Sequence, residues 1–175
     1  TQNGLDAAAR GATEGMTLVI NILAMLIAFI GLIALINHSL GWVQQLVYNE
    51  GGKWSLELIC GQLMRPIVWT LGIPWNETMK VGELMGLKTI LNEFVAYSKL
   101  VGIMDSPNPL SQRTFIITTY ALCGFANFGS IAIIIGGIGS IAPERRGDLS
   151  RMGLQSLIGG TLATMLTGTI IGLFI

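Results

Sequence analysis

Residues 114–142 run for twenty-nine positions without a charged side chain. A straight helix of that length would reach about 44 Å, well past the roughly 30 Å hydrocarbon core of a bilayer. The middle of the run reads Gly124-Phe-Ala-Asn-Phe-Gly-Ser130. Two glycines and an asparagine so close together mark a point where the helix is expected to unwind. The composition agrees with a membrane class: 51% of the 175 residues are hydrophobic and 11% charged, against roughly 25% charge in soluble domains. The apolar residues come in blocks and not in alternation. Zero net charge gives no basis for binding nucleic acid or for a basic membrane-surface protein.

Five segments are expected. Residues 1–37 contain a short amphipathic lead-in, Asp6 to Thr17, and a long transmembrane helix. Its apolar run, Leu18 to Ile36, is interrupted by Asn21 and Gly31 and covers roughly 28 Å. Residues 38–79 form an extracellular, interfacial helical region. It begins with a water-exposed loop through Gln44, Gln45, Asn49, Glu50, Gly51, Gly52 and Lys53, and continues as a helix from Ser55 to Trp69. Glu57, Gln62 and Arg65, with Trp42, Trp54, Trp69 and Trp75 around them, suit an interface better than a span. Ile73-Pro-Trp-Asn76 is a turn in which Asn76 is the expected cap, with Glu77 in the first helical turn. Within residues 80–104, Val81 to Leu91 and Phe94 to Ile103 are each too short to cross a bilayer. Two such limbs around Asn92-Glu93 predict a re-entrant hairpin. Asp105 to Pro109 is a loop, and residues 110–142 are a broken transmembrane helix. Residues 143–175 comprise a basic loop, Pro143 to Arg151, and a last transmembrane helix. The four-residue spacing of Gly160, Thr164, Gly168 and Gly172 there reads as a packing face. The fold class is therefore all-α and polytopic.

Arg145, Arg146 and Arg151 place their loop on the cytoplasmic side by the positive-inside rule. The hairpin then enters from outside and the C-terminus lies outside; Lys53, Arg65 and Lys80 on that outer side run against the rule. Cys60 and Cys123 lack any redox or zinc spacing and read as inert apolar thiols, and His38 as an interfacial side chain without metal partners. Thr1 to Glu14 does not resemble a cleavable leader. Gly137-Ile-Gly139 lacks the strand that a dinucleotide fingerprint needs. Two glycosylation sequons, at Asn37 and Asn76, match a pattern that recurs by chance.

Two sets of polar residues carry the candidate chemistry. Glu93 lies between apolar limbs, where an ionisable group must face water, a partner such as Lys88, or a solute. A carboxylate accepts hydrogen bonds from hydroxyls, so it suits a sugar or another polyol. Asn127 and Ser130 lie at the helix interruption, where they can satisfy freed backbone or hold a solute. An intramembrane enzyme is disfavoured, because neither a metal-ligand cluster nor a nucleophile with its base is visible. A structural or assembly subunit explains the small-residue stripe but not two polar interruptions. A transporter of a polar solute explains both.

Gly82-Glu-Leu-Met-Gly-Leu-Lys-Thr-Ile-Leu-Asn-Glu-Phe-Val-Ala-Tyr97, Ala121-Leu-Cys-Gly-Phe-Ala-Asn-Phe-Gly-Ser-Ile-Ala132 and Gly136-Gly-Ile-Gly139 together resemble the concentrative nucleoside transporters. Asn3 to Asn37 and the tail from Pro143 extend the resemblance over nearly the whole chain. It implies the carboxyl-terminal half of an inverted-repeat transporter about twice as long, with residues up to Asn37 contributing a scaffold helix. It further implies a homotrimer in the plasma (inner) membrane, symport of a nucleoside with Na+ or H+, and elevator-type alternating access. No cofactor is implied, and the coupling ion would be bound mainly by the other half. Glu93 would bond the ribose hydroxyls, Asn127 and Ser130 in the unwound stretch would contact the ribose side, and Phe125 would line the pocket. Gly129 departs from a serine pair in the family pattern, while Ser130 keeps its expected position. The residues that select purine or pyrimidine fall outside these motifs.

Overall fold

The computed structural model describes residues 3–48 and 54–175. Among them the chain is helical, without strands: α1 Gly4–Tyr48, α2 Leu56–Trp69, α3 Thr78–Ile90, α4 Glu93–Met104, α5 Gln112–Leu122, α6 Phe128–Ile141 and α7 Arg146–Gly172, with a 3-10 turn Pro143–Arg145 before α7.

The lead-in, the apolar run and the expected loop at Gln44 and Gln45 are one continuous helix, α1, about 68 Å long. No proline interrupts it. The hydroxyls of Thr13, Thr17 and Ser39 donate to carbonyls four residues back, so these polar groups are satisfied without leaving the helix. Asn37 Oδ1 accepts from the Leu56 amide at 2.7 Å and Gln44 Oε1 from the Trp54 amide at 2.9 Å. Asn37, at the end of the expected span, and Gln44, in the expected loop, thus tie α1 to the segment that opens α2. Asn49 to Lys53, the rest of that expected loop, lie outside the described residues.

Ser55 starts α2 as expected, its hydroxyl accepting from the Leu58 amide at 3.1 Å. Asn76 does not cap α3; Glu77 stands at that position and makes no side-chain cap bond. Helix α2 crosses α3 backbone to backbone, and a Cβ on Gly82 would lie 2.6 Å from the Gly61 carbonyl oxygen. Gly82→Val should therefore overpack the crossing and destabilise the fold by about 1–3 kcal/mol. Thermal unfolding of the full-length protein in detergent checks this; an unchanged midpoint contradicts so close a crossing.

Helices α3 and α4 fold back on one another through Leu91 and Asn92, as the Glu83–Lys99 ion pair at 3.2 Å requires. Their inner faces join α2, α5 and α7 in one core containing Val68, Val81, Leu84, Leu100, Ile117 and Met165. Helix α1 meets this body through Ile33, which packs with Leu87 and Leu91. Much of its surface is exposed apolar side chain, including Ile27, Leu35 and Leu46.

At the end of α3 opposite Asn92, Glu77 accepts from the Ser111 amide at 2.8 Å and the Ser111 hydroxyl at 2.9 Å. Partial burial works to raise the Glu77 carboxyl. The Thr114 and Ser111 hydroxyls, the Ser111 amide and the Lys80 ammonium outweigh it and hold the pKa below the ordinary 4.5. The unfolded chain therefore takes up this proton first as pH falls. The contribution is complete above about pH 4.5 and lost as pH drops through the lower folded value. Acid-unfolding curves should lose that limb in Glu77→Gln, and identical curves contradict it.

The small-residue stripe of α7 packs as expected. Added Cβ atoms would lie 3.2 Å from Ala126 Cβ at Gly160, 2.9 Å from the Ile117 carbonyl at Gly168, and 2.9 Å from Ile117 Cδ1 at Gly172. The basic loop is shorter than expected: Pro143 opens the 3-10 turn and α7 begins at Arg146, with Arg145 paired to Asp148 at 2.8 Å. Cys60 and Cys123 are not joined by a disulfide, and Cys123, read as an apolar thiol, is exposed at the start of the helix interruption.

Candidate functional site at two capped helix ends

Two asparagines start two helices and bring them to the same place. Asn92 Oδ1 accepts from the Val95 amide at 3.0 Å and starts α4, so Glu93 is the first residue of that helix. Asn127 Oδ1 accepts from the Ser130 amide at 2.8 Å and the Ser130 hydroxyl at 3.0 Å, and starts α6. The amide of Asn127 then reaches across: its Nδ2 donates to Glu93 Oε2 at 3.0 Å. The positive ends of two helix dipoles therefore converge on one carboxylate.

The interruption covers residues 123–127, between Leu122 and Phe128. Ser130 lies in the first turn of α6 and not in the unwound stretch, because the Asn127 cap starts the helix ahead of it. Asn127 and Ser130 are 3% and 7% exposed, whereas Phe125 is 80% exposed. Glu93 is half-buried.

Lys88 is the partner that the sequence offers Glu93. The structure turns Lys88 elsewhere: its ammonium donates to the Ala121 carbonyl at 3.0 Å and to Thr164 Oγ1 at 2.9 Å. Phe125, Asn127 and Ser130 line a cavity of about 330 Å³ with Ser156, Gly160 and Thr164 of α7. Glu93 is not among its lining residues and joins the group through Asn127. Ser156 and Thr164 are polar members that sequence reading did not mark as site residues. The signal was their spacing with Gly160, four residues to either side, on one helical face.

Chemically, the group offers an acceptor-only carboxylate, a hydroxyl and an amide at a partly buried junction. An ionised carboxylate retains lone pairs beyond the one that Asn127 uses, so a solute hydroxyl can be accepted there. Two helices among the described residues are long and apolar enough to cross a membrane, α1 over Ile30–Val47 and the run Pro143–Gly172. Helices α5 and α6, separated by residues 123–127, lie beside the folded-back pair α3 and α4.

Comparison with known proteins gives the family. Residues 1–172 match the family described as Na+ dependent nucleoside transporter C-terminus, and the chain belongs to that family. It is 43% identical over 175 residues to the nucleoside permease NupC of Helicobacter pylori, covering 99% of this chain and 41% of that protein. It is 41% identical over 184 residues to sodium/nucleoside cotransporter 1 of Rattus norvegicus, covering 98% and 28%. The solved structure of CNTnw in an inward-facing substrate-bound state is 42% identical, with a TM-score of 0.86 over 99% of this chain and 40% of that one. The chain thus spans less than half the length of these relatives, the first two of which are named as a permease and a cotransporter.

Proposed function

We propose that this chain is the carboxyl-terminal half of a cation-coupled nucleoside symporter and supplies the ribose side of its solute site. The observation that carries the reading is the Glu93–Asn127 hydrogen bond at 3.0 Å, which joins the starts of α4 and α6. A nucleoside sheds water from its ribose hydroxyls on entry, and unreplaced hydrogen bonds in a low-dielectric cavity are expensive. Glu93 accepts from those hydroxyls, Asn127 and Ser130 complete the set, and Phe125 covers the pocket wall.

In this reading α3 and α4 are a re-entrant hairpin and α5 and α6 two parts of one broken transmembrane helix. Residues 1–37 are the lead-in and scaffold helix, 38–79 the outer interfacial region, 80–104 the hairpin, 110–142 the broken helix and 143–175 the cytoplasmic turn and last span. The exposed apolar surface of α1 and α7 faces lipid and other parts of a multi-pass, homotrimeric assembly in the plasma (inner) membrane. The other half of an inverted repeat binds the coupling Na+ or H+ and contacts the base. Solute movement follows differential affinity between an outward and an inward state of the hairpin-bearing domain, an elevator motion.

The test is accumulation of radiolabelled nucleoside by proteoliposomes containing the full-length protein under an imposed Na+ or proton gradient. Uptake above the external concentration, with the nucleoside recovered unchanged, is the expected result. Chemical conversion of the nucleoside points to an enzyme, and absence of both binding and uptake to a structural subunit.

A further inference from the structure

The interruption between α5 and α6 has two chemically opposite ends, and the carbonyl end is closed by side chains from α3 and α4. A helix leaves its last four carbonyls without intrahelical donors. In α5 each of the four has found one. Thr119 O accepts from the Tyr97 hydroxyl at 2.7 Å and Ala121 O from the Lys88 ammonium at 3.0 Å. Tyr120 O accepts from the Cys123 amide at 3.2 Å and Leu122 O from the Gly124 amide at 2.9 Å. The local turn supplies two donors and the facing helix pair the other two.

Lys88 is the unusual member. It is completely buried, and its ammonium also donates to Thr164 Oγ1 on α7 at 2.9 Å. A carbonyl freed at a helix break and a hydroxyl from the neighbouring helix are the oxygen ligands with which interrupted helices hold monovalent cations. The negative end of a helix dipole favours a cation at that point. Here a side chain of the protein itself takes the position.

We propose that the Lys88 ammonium acts as a tethered monovalent cation that fixes the carbonyl end of the interruption, and so positions Asn127 and Ser130 at its amide end. Thr164 transmits the constraint: a Cβ on Gly124 would lie 2.5 Å from Thr164 Cγ2, so the interruption rests directly on the residue that Lys88 grips. Thr164 also lines the cavity with Asn127 and Ser130. Lys88 is a positioning residue, acting through Ala121 and Thr164. Its effect on nucleoside affinity rests on the transport reading, whereas its effect on the shape of the interruption does not.

The experiment is chemical rescue in the full-length protein. Lys88→Ala opens a space the size of a small alkylammonium ion, and Lys88→Met fills that space without charge. Nucleoside dissociation constants should rise at least tenfold in both. Added methylammonium or ethylammonium should restore Lys88→Ala at least threefold, with no effect on Lys88→Met and none from the neutral alcohols of the same size. The thermal midpoint of Lys88→Ala should rise with ammonium concentration in parallel. If Lys88→Ala is recovered aggregated, the same ions added during extraction should restore a monodisperse peak. Wild-type affinity in Lys88→Met, or no response of Lys88→Ala to alkylammonium in any of these readouts, overturns the proposal. Failure of the wild-type protein to bind nucleoside refutes the transport reading alone, because the ammonium-dependent thermal midpoint still tests Lys88.

Discussion

Replacing Glu93 by Gln in the full-length protein should weaken nucleoside binding about tenfold to a hundredfold while leaving the protein folded. The range follows from the roughly 1.5–3 kcal/mol of a hydrogen bond to a charged group, at about 1.4 kcal/mol per tenfold. Gln keeps the shape and one carbonyl acceptor, so the change isolates charge. Folding should be spared because Asn92, not Glu93, caps α4, and Asn127 can still donate to the new carbonyl. Titration calorimetry in detergent provides the affinity, and the thermal midpoint reports folding. Unchanged affinity in a folded Glu93→Gln protein removes Glu93 from the site.

Asn127→Ala should be more damaging, because one side chain holds three bonds. It caps α6 through the Ser130 amide, orients the Ser130 hydroxyl, and bridges to Glu93. Loss of the cap alone destabilises by about 1 kcal/mol. The Glu93 carboxylate then loses its fixed donor, and Ser130 its orientation. A lower thermal midpoint and at least a tenfold loss of nucleoside affinity should appear together. Asn127→Asp restores the cap but sets a second carboxylate against Glu93. Stability should then recover further than affinity, and equal recovery of both contradicts the separate roles.

The polar interruptions could be read in the sequence because a mainly apolar stretch leaves few residues able to end or cap a helix. Asn92 and Asn127 are such residues, and both are caps. The packing stripe of α7 was visible for a related reason, since small residues four apart share one face. The continuity of α1 was hidden. Thr13, Thr17 and Ser39 bond back to their own helix, and the acceptors Asn37 and Gln44 serve α2. At Gln44 polarity marks a tie to the next helix, not a loop. The destination of Lys88 was also out of reach, because Ala121 and Thr164 lie 33 and 76 residues away and only tertiary packing brings them near. Ser130 stands outside the unwound stretch because the Asn127 cap starts α6 ahead of it, a distinction that residue type alone does not make.

Whether Glu93 grips the ribose hydroxyls of a nucleoside is tested by a cycle of ligand and protein changes. Binding of a nucleoside and of its 2′,3′-dideoxy analogue would be measured by calorimetry on full-length wild-type protein and on Glu93→Ala. If Glu93 accepts from those hydroxyls, removing them should weaken wild-type binding at least tenfold and Glu93→Ala binding less than threefold. An equal loss in both proteins would mean that the hydroxyls are held elsewhere and that Glu93 does not contact the sugar.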